Sequence, residues 1–138
     1  DILQLELDKA VDFFDKVVRQ HARPTEASSF DNLVKTAQRA LENNSSDFES
    51  HLDDLRSRNF MILWRQDWFV IERFKWLAQD TYLFPDAREH AQLVAVGAEA
   101  LKANDIDKLR AVVVNLDSIR VGSAGDDDMM AGANIVRS

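Results

Sequence analysis

The chain has 138 residues, enough for one domain that buries roughly two-thirds of the surface its unfolded form exposes. At 46% hydrophobic and 30% charged it is too apolar for wholesale disorder, and four Gly and two Pro are too few for an all-β fold. The absence of cysteine excludes a disulfide framework and thiol chemistry and fits a reducing, cytoplasmic setting, and a net charge of −7 with scattered basic residues argues against nucleic acid.

From the start, Leu3, Leu7, Ala10, Val11, Phe14, Val17, Val18 and His21 recur every three or four positions. That spacing predicts a helix ending before Pro24. The alternation Leu3–Gln4–Leu5–Glu6–Leu7 is also strand-like, but the helical period continues for four turns. The segment from His21 to Ser29 reads as a loop, with Ser29 capping a second helix striped by Phe30, Leu33, Val34, Ala37, Ala40 and Leu41. Asn43 and Asn44 end it, because asparagine tolerates the left-handed conformation. Ser46 and Glu49 have capping-box spacing for a third helix that buries Phe48, Leu52, Leu55, Ile62 and Leu63.

Eight of the twelve aromatic residues fall between Phe60 and Phe84, including every tryptophan and the one tyrosine. Charges at Arg65, Asp67, Glu72, Arg73 and Lys75 interrupt this stretch, so it is not a membrane span, which needs about 20 apolar residues. Asp47 to Asp80 is either one continuous rod or two helices. Uninterrupted helices beyond about 25 residues are uncommon in globular domains, which favours a break near Arg65–Asp67 with Asp67 as the next cap. In the fourth helix Val70, Phe74 and Leu77 form one ridge and Trp68, Ile71 and Lys75 another. The tryptophans are read mainly as core. Trp76, Trp64 and Arg65 are the candidates for contact with a protein or peptide partner, and Trp68 is expected to be buried.

Pro85 and the pair Asp86/Glu89 start a fifth helix, with an expected buried stripe of Ala87, Ala91, Val94, Ala98 and Leu101. Gly97 costs that helix about 1 kcal/mol relative to alanine, so a packing reason for it is expected. Asn104 or Asp105 divides it from a sixth helix whose inward residues are Ile106, Leu109, Val112, Val113, Leu116 and Ile119. From Gly122 the sequence is small and acidic, with Asp126 to Asp128, and reads as a disordered tail. Ala40–Leu41–x–x–Asn44–x–x–Asp47 recurs as Ala100–Leu101–x–x–Asn104–x–x–Asp107, which either marks two related hairpins or reflects convergent turn chemistry.

The expected fold is therefore all-α: five or six antiparallel helices in a bundle of hairpins. Residues 1–24 form a helix that possibly links to a preceding domain, 25–121 the helical-hairpin domain, and 122–138 the acidic tail. The chain opens on Asp1 rather than Met, as expected of a piece of something longer, and carries no signal-peptide pattern.

Chemistry is sparse. Asp47/His51 and Asp86/His90 are the nearest approach to paired metal ligands, but both aspartates fall where helices start, and capping beside a solvated histidine explains them. No nucleophile elbow, phosphate-binding loop or HExxH is present. No catalytic, cofactor-binding or metal residue is assigned.

Arg65, Asp67, Trp68, Phe69, Phe74, Leu77, Pro85, Asp86 and Ala87, continued by Gly97, Ala100, Leu101, Asn104, Asp105, Leu109, Arg110, Val112, Val113 and Leu116, resemble the C-terminal region of bacterial DnaK-type chaperones of the heat-shock-seventy family. Those relatives usually close the fifth helix with Gly-Asp, where this chain has Asn104–Asp105, and precede it with Asp-Pro, where it has Pro85–Asp86. The resemblance implies a non-catalytic helical accessory module that contacts client, co-chaperone or the peptide-binding domain. ATP and magnesium would belong to an upstream domain of the parent protein. The alternative is an independent helical-repeat protein-binding module, and a helical enzyme stands third.

Overall fold

The computed structural model of this chain describes residues 1–121, and every regular element among them is helical. The six α-helices are α1 (Ile2–Phe13), α2 (Pro24–Glu42), α3 (Phe48–Trp64), α4 (Asp67–Gln79), α5 (Ala87–Lys102) and α6 (Ile106–Ile119). The chain divides into two compact units, Asp1–Leu63 and a second beginning at Trp64. That boundary falls inside the stretch 25–121 read from sequence as one domain. The acidic tail of 122–138, and its reading as disordered, lie outside the described residues.

In the first unit Asp1 caps α1, its carboxylate accepting from the Leu3 N–H at 3.1 Å, so the strand-like start is helical. The α-helix then widens into a five-residue π-helix, Phe14–Val18, and tightens into a 3-10 turn, Arg19–His21. The wider turn changes which side chains face inward. Phe13 and Phe14 are both buried, whereas Val17 and His21, expected in the stripe, are half-buried.

Helix α2 starts at Pro24, not at Ser29. Proline's fixed φ suits the first helical position, where its missing N–H costs nothing, and Glu26 accepts from the Arg23 N–H at 2.8 Å. Phe14 and Phe30 then stack between α1 and α2 with centroids 3.8 Å apart and planes 8° from parallel. Arg19 lies over the Phe14 ring at 4.7 Å and donates to both Asp15 and Asp31. On α3 all five expected core residues are buried, together with Asn59, whose amide donates to the Ala10 carbonyl of α1 at 3.2 Å. The hydroxyl at the entry to α3 is that of Ser45 rather than Ser46. Its Oγ accepts from the Asp47 N–H at 3.1 Å.

The repeated motif has a geometric counterpart. Asn44 and Asn104 both adopt left-handed backbone, with φ of 52° and 57°. The following N–H returns to the buried alanine five residues back, Ser45 to Ala40 and Asp105 to Ala100, each at 2.8 Å. Asn44 and Asn104 donate to Leu41 and Leu101 respectively, each at 3.1 Å. These are two Schellman turns with the same bonds, satisfying carbonyls that a helix end leaves open.

In the second unit α6 packs against both α4 and α5. Val70, Phe74 and Leu77 meet Leu109, Val112, Val113 and Leu116 in one core, as their spacing predicts. The buried face of α5 is not the expected alanine stripe. Ala87, Ala91 and Ala98 are exposed, and His90, Gly97 and Ala100 are buried instead. A Cβ placed on Gly97 would clash with the edge of the Phe74 ring, which is the packing reason for a glycine there.

The Arg19–Asp31 hydrogen bond lowers the Asp31 pKa below its ordinary value. A carboxylate depressed on folding adds stability above its unfolded pKa of about 3.9, and that contribution fades as pH falls through the lower folded value. Both side chains are about half exposed, which keeps the effect under about 1 kcal/mol. Arg19→Met should therefore lower the melting temperature at pH 7, and the gap to wild type should narrow below about pH 4. A gap that is constant from pH 7 to pH 2.5 would contradict this pairing.

Candidate interaction site

The residues proposed for partner contact belong to the second unit and do not form one site. Trp64 is the last residue of α3 and Arg65 lies in the break before α4. Trp76 lies near the far end of α4, about 13 Å along the axis from Asp67 at 1.5 Å per residue. The break between α3 and α4 falls at Arg65–Gln66, with Gln66 rather than Asp67 at the cap position. Arg110 of α6 braces the start of α4. Its guanidinium donates to the Arg65 carbonyl at 3.3 Å and to the Asp67 carboxylate at 3.2 Å. Trp64 packs, half-buried, against the core of this unit. Trp68, expected in the core, is also only half-buried and meets Phe69 edge-on at 5.9 Å; Phe69 takes the buried position.

Trp76 is half-buried and carries two guanidiniums over its ring, Arg73 at 5.0 Å and Arg120 at 5.4 Å from the centroid. Both arginines are buried. Arg73 donates to Asp117 at 2.8 Å, and Arg120 reaches the same carboxylate at 3.7 Å. A buried cation is tolerated when paired and hydrogen-bonded, and the electron-rich indole face adds attraction in a partly desolvated setting. Arg73 and Arg120 escaped sequence reasoning because their partners lie on other helices or a turn away. The one available signal was that both fall on inward helical faces.

His90, expected to be solvated, is buried. A carbonyl can only accept, so its Nε2–H donates to the Leu77 oxygen at 3.0 Å, and its ring rests on Phe84 with centroids 4.0 Å apart. Asp86 caps α5 as expected, accepting from the Glu89 N–H at 3.0 Å, and Asp105 caps α6 through the Lys108 N–H. Asp47, by contrast, accepts through its carbonyl from the His51 N–H. Among the described residues no group of three or more His, Cys, Asp or Glu is placed to hold a metal ion. None of their helices is long and apolar enough to cross a membrane.

Open grooves flank the helices among the described residues. One of about 430 Å³ in the first unit is lined by Thr25, Ser29, Ser57, Arg58 and Met61 among others. Another, of about 510 Å³ between α5 and α6, is lined by Leu93, Val96, Asn115, Ser118 and Ile119 among others. Compared with protein families, curated proteins and solved structures, the chain matches none.

Burial separates the Asp117–Arg73 pair from the Asp67–Arg110 pair. Asp117→Ala removes the carboxylate that pairs with the buried Arg73 and Arg120 guanidiniums and should cost about 3–5 kcal/mol. Asp67→Ala, with its side chain 66% exposed, should cost less than about 1 kcal/mol. Urea unfolding of the two variants checks the contrast, and equal losses would show that Asp117 does not neutralise the buried charge.

Proposed function

We propose that this chain is a non-catalytic helical accessory module of a DnaK-like, cytoplasmic molecular chaperone, acting by contact with client, co-chaperone or the peptide-binding domain. The observation that supports it is where the resembling residues lie. Arg65, Asp67 and Arg110 hold the start of α4, Phe74 and Gly97 make the close contact, Asp86 and Asp105 the caps, and Leu109, Val112, Val113 and Leu116 the core. The resemblance thus falls on the framework of a single compact unit. Side chains that chemistry would need are engaged in that framework: Asp86 and Asp105 as caps, Asp117 on Arg73, and His90 on a carbonyl. ATP and magnesium belong, in this reading, to another domain of the parent protein.

The finer architecture proposed is two hairpin-based bundles. Neighbouring helices run antiparallel in this reading, supported by Gln4 on Gln38 with Phe14 on Phe30, and by Phe74 on Gly97 with Leu77 on His90. The outer pairs run parallel: Glu6 with Arg56 and Ala10 with Asn59, Asp67 with Arg110 and Arg73 with Asp117. The matching turns at Asn44 and Asn104 favour a second reading, an independent helical-repeat module that binds protein outside any chaperone.

Calorimetric titration distinguishes them. The chaperone reading predicts no heat with Mg-ATP and saturable binding to the peptide-binding domain of a DnaK-type chaperone or to a reduced, unfolded client protein. Micromolar ATP binding would overturn both readings. No binding to either protein would remove the chaperone setting and leave the repeat module.

A further inference from the structure

The two compact units follow one plan. Each runs from a helix through a 3-10 turn and a proline to a second helix, then through a Schellman turn to a third. The buried residues of α2 are Phe30, Ala37 and Ala40, and those of α5 are His90, Gly97 and Ala100. All three pairs stand at the spacing of the left-handed Asn44 and Asn104. In the first helices Ala10, Phe13 and Phe14 stand at that same spacing from the buried Val70, Arg73 and Phe74. Past the Schellman turns the spacing grows by one residue, and Phe48, Leu52, Leu55 and Asn59 match Leu109, Val113, Leu116 and Arg120.

Chemistry corresponds along with burial. Phe30 lies on the Phe14 ring, and His90 at the matching place lies on Phe84. A charged residue of the third helix pairs with the first helix in both units, Arg56 with Glu6 and Asp117 with Arg73. A groove opens between the second and third helices of each unit, with Ser29 and Ser57 in one and Glu89 and Ser118 at the matching positions of the other. A helix can turn any of several faces inward, so agreement of register through three successive helices is more than shared turn chemistry produces.

One departure has a local cause. After Phe14 the next buried residue is Val18, whereas after Phe74 it is Leu77, one position sooner. The π-helix Phe14–Val18 covers this difference. A π-turn closes its hydrogen bonds one residue later than an α-turn and so holds one residue more. The connection from Leu77 to His90 is one residue longer than that from Val18 to Phe30, which restores the spacing.

We propose that the two units are tandem repeats of one three-helix design, the first carrying an added residue in its π-helix. Arg73, Asp117 and Arg120 stand where the first repeat has Phe13, Arg56 and Asn59. The ionic cluster at Trp76 is thus an elaboration of the second repeat and not part of the shared framework. The inference goes beyond the chaperone reading and holds in either setting proposed above.

The test is thermal unfolding, with backbone chemical shifts, of full-chain variants that lose or gain one residue. Deleting Lys16, exposed on the π-helix, should leave continuous α-helix as in α4 and keep the melting temperature within about 5 °C of wild type. Adding one alanine after the exposed Lys75 of α4 should be absorbed as a π-turn, as in the first repeat, with a similarly small shift. Deleting Lys75 turns the flanking helix segments about 100° out of register and should lower the melting temperature by more than about 10 °C. A Lys16 deletion that falls as far as the Lys75 deletion would overturn the proposal. So would a Lys16 deletion that keeps its π-turn, or an insertion after Lys75 that unfolds the second unit.

Discussion

The second unit depends on one missing side chain. Phe74 of α4 occupies the space that a Cβ on Gly97 of α5 would take, so the two helices meet with a ring seated directly on backbone. Glycine at this helical position gives up about 1 kcal/mol of intrinsic propensity, and the burial of the Phe74 ring offsets that loss. The close approach sets α5 beside α4 so that His90, two turns before Gly97, reaches the Leu77 carbonyl. It also defines which face of α5 is inside. Ala37 and Phe14 of the first unit are both buried and stand from Gly97 and Phe74 at the spacing that separates Asn44 from Asn104.

Around this contact, charge is divided by burial. In the first unit the pairs Lys16 with Asp12 and Arg58 with Asp54 are one turn apart on exposed helix faces and contribute a few tenths of a kcal/mol each. The cluster of Arg73, Asp117, Arg120 and Trp76 is different, because its guanidiniums are shielded from water. There the carboxylate and the indole substitute for solvent, and removing either partner exposes a desolvation cost rather than merely a lost attraction. This cluster joins α4 to the end of α6, as Arg110 joins their beginnings, so α6 is fixed at both ends.

Much of this was legible in the sequence where one residue's chemistry decides local geometry. The break at Arg65–Gln66, the caps Asp86 and Asp105, the left-handed Asn44 and Asn104, and the buried faces of α3 and α6 all follow from capping chemistry and spacing. Errors came where a residue has two uses. Pro24 suits the end of one helix as well as the first position of the next, and it opens α2; alanine signals neither face of a helix strongly, and on α5 three of them face out. The π-helix at Phe14–Val18 has no local signature, so the joint burial of Phe13 and Phe14 was not foreseen. As for the site, the aromatic cluster pointed to Trp76 but not to its guanidinium partners, since Arg73 finds Asp117 on another helix.

The most direct test of this account is a double-mutant cycle between Gly97 and Phe74, measured by urea unfolding. Gly97→Ala in the wild-type chain should destabilise by about 1–3 kcal/mol through overpacking, despite the better helix propensity. In a Phe74→Ala background, where the ring is gone, the same change should become neutral or stabilise by up to about 1 kcal/mol. Gly97→Ala that stabilises both backgrounds equally would show that α4 and α5 do not meet at this point, and the arrangement of the second unit would have to be rebuilt.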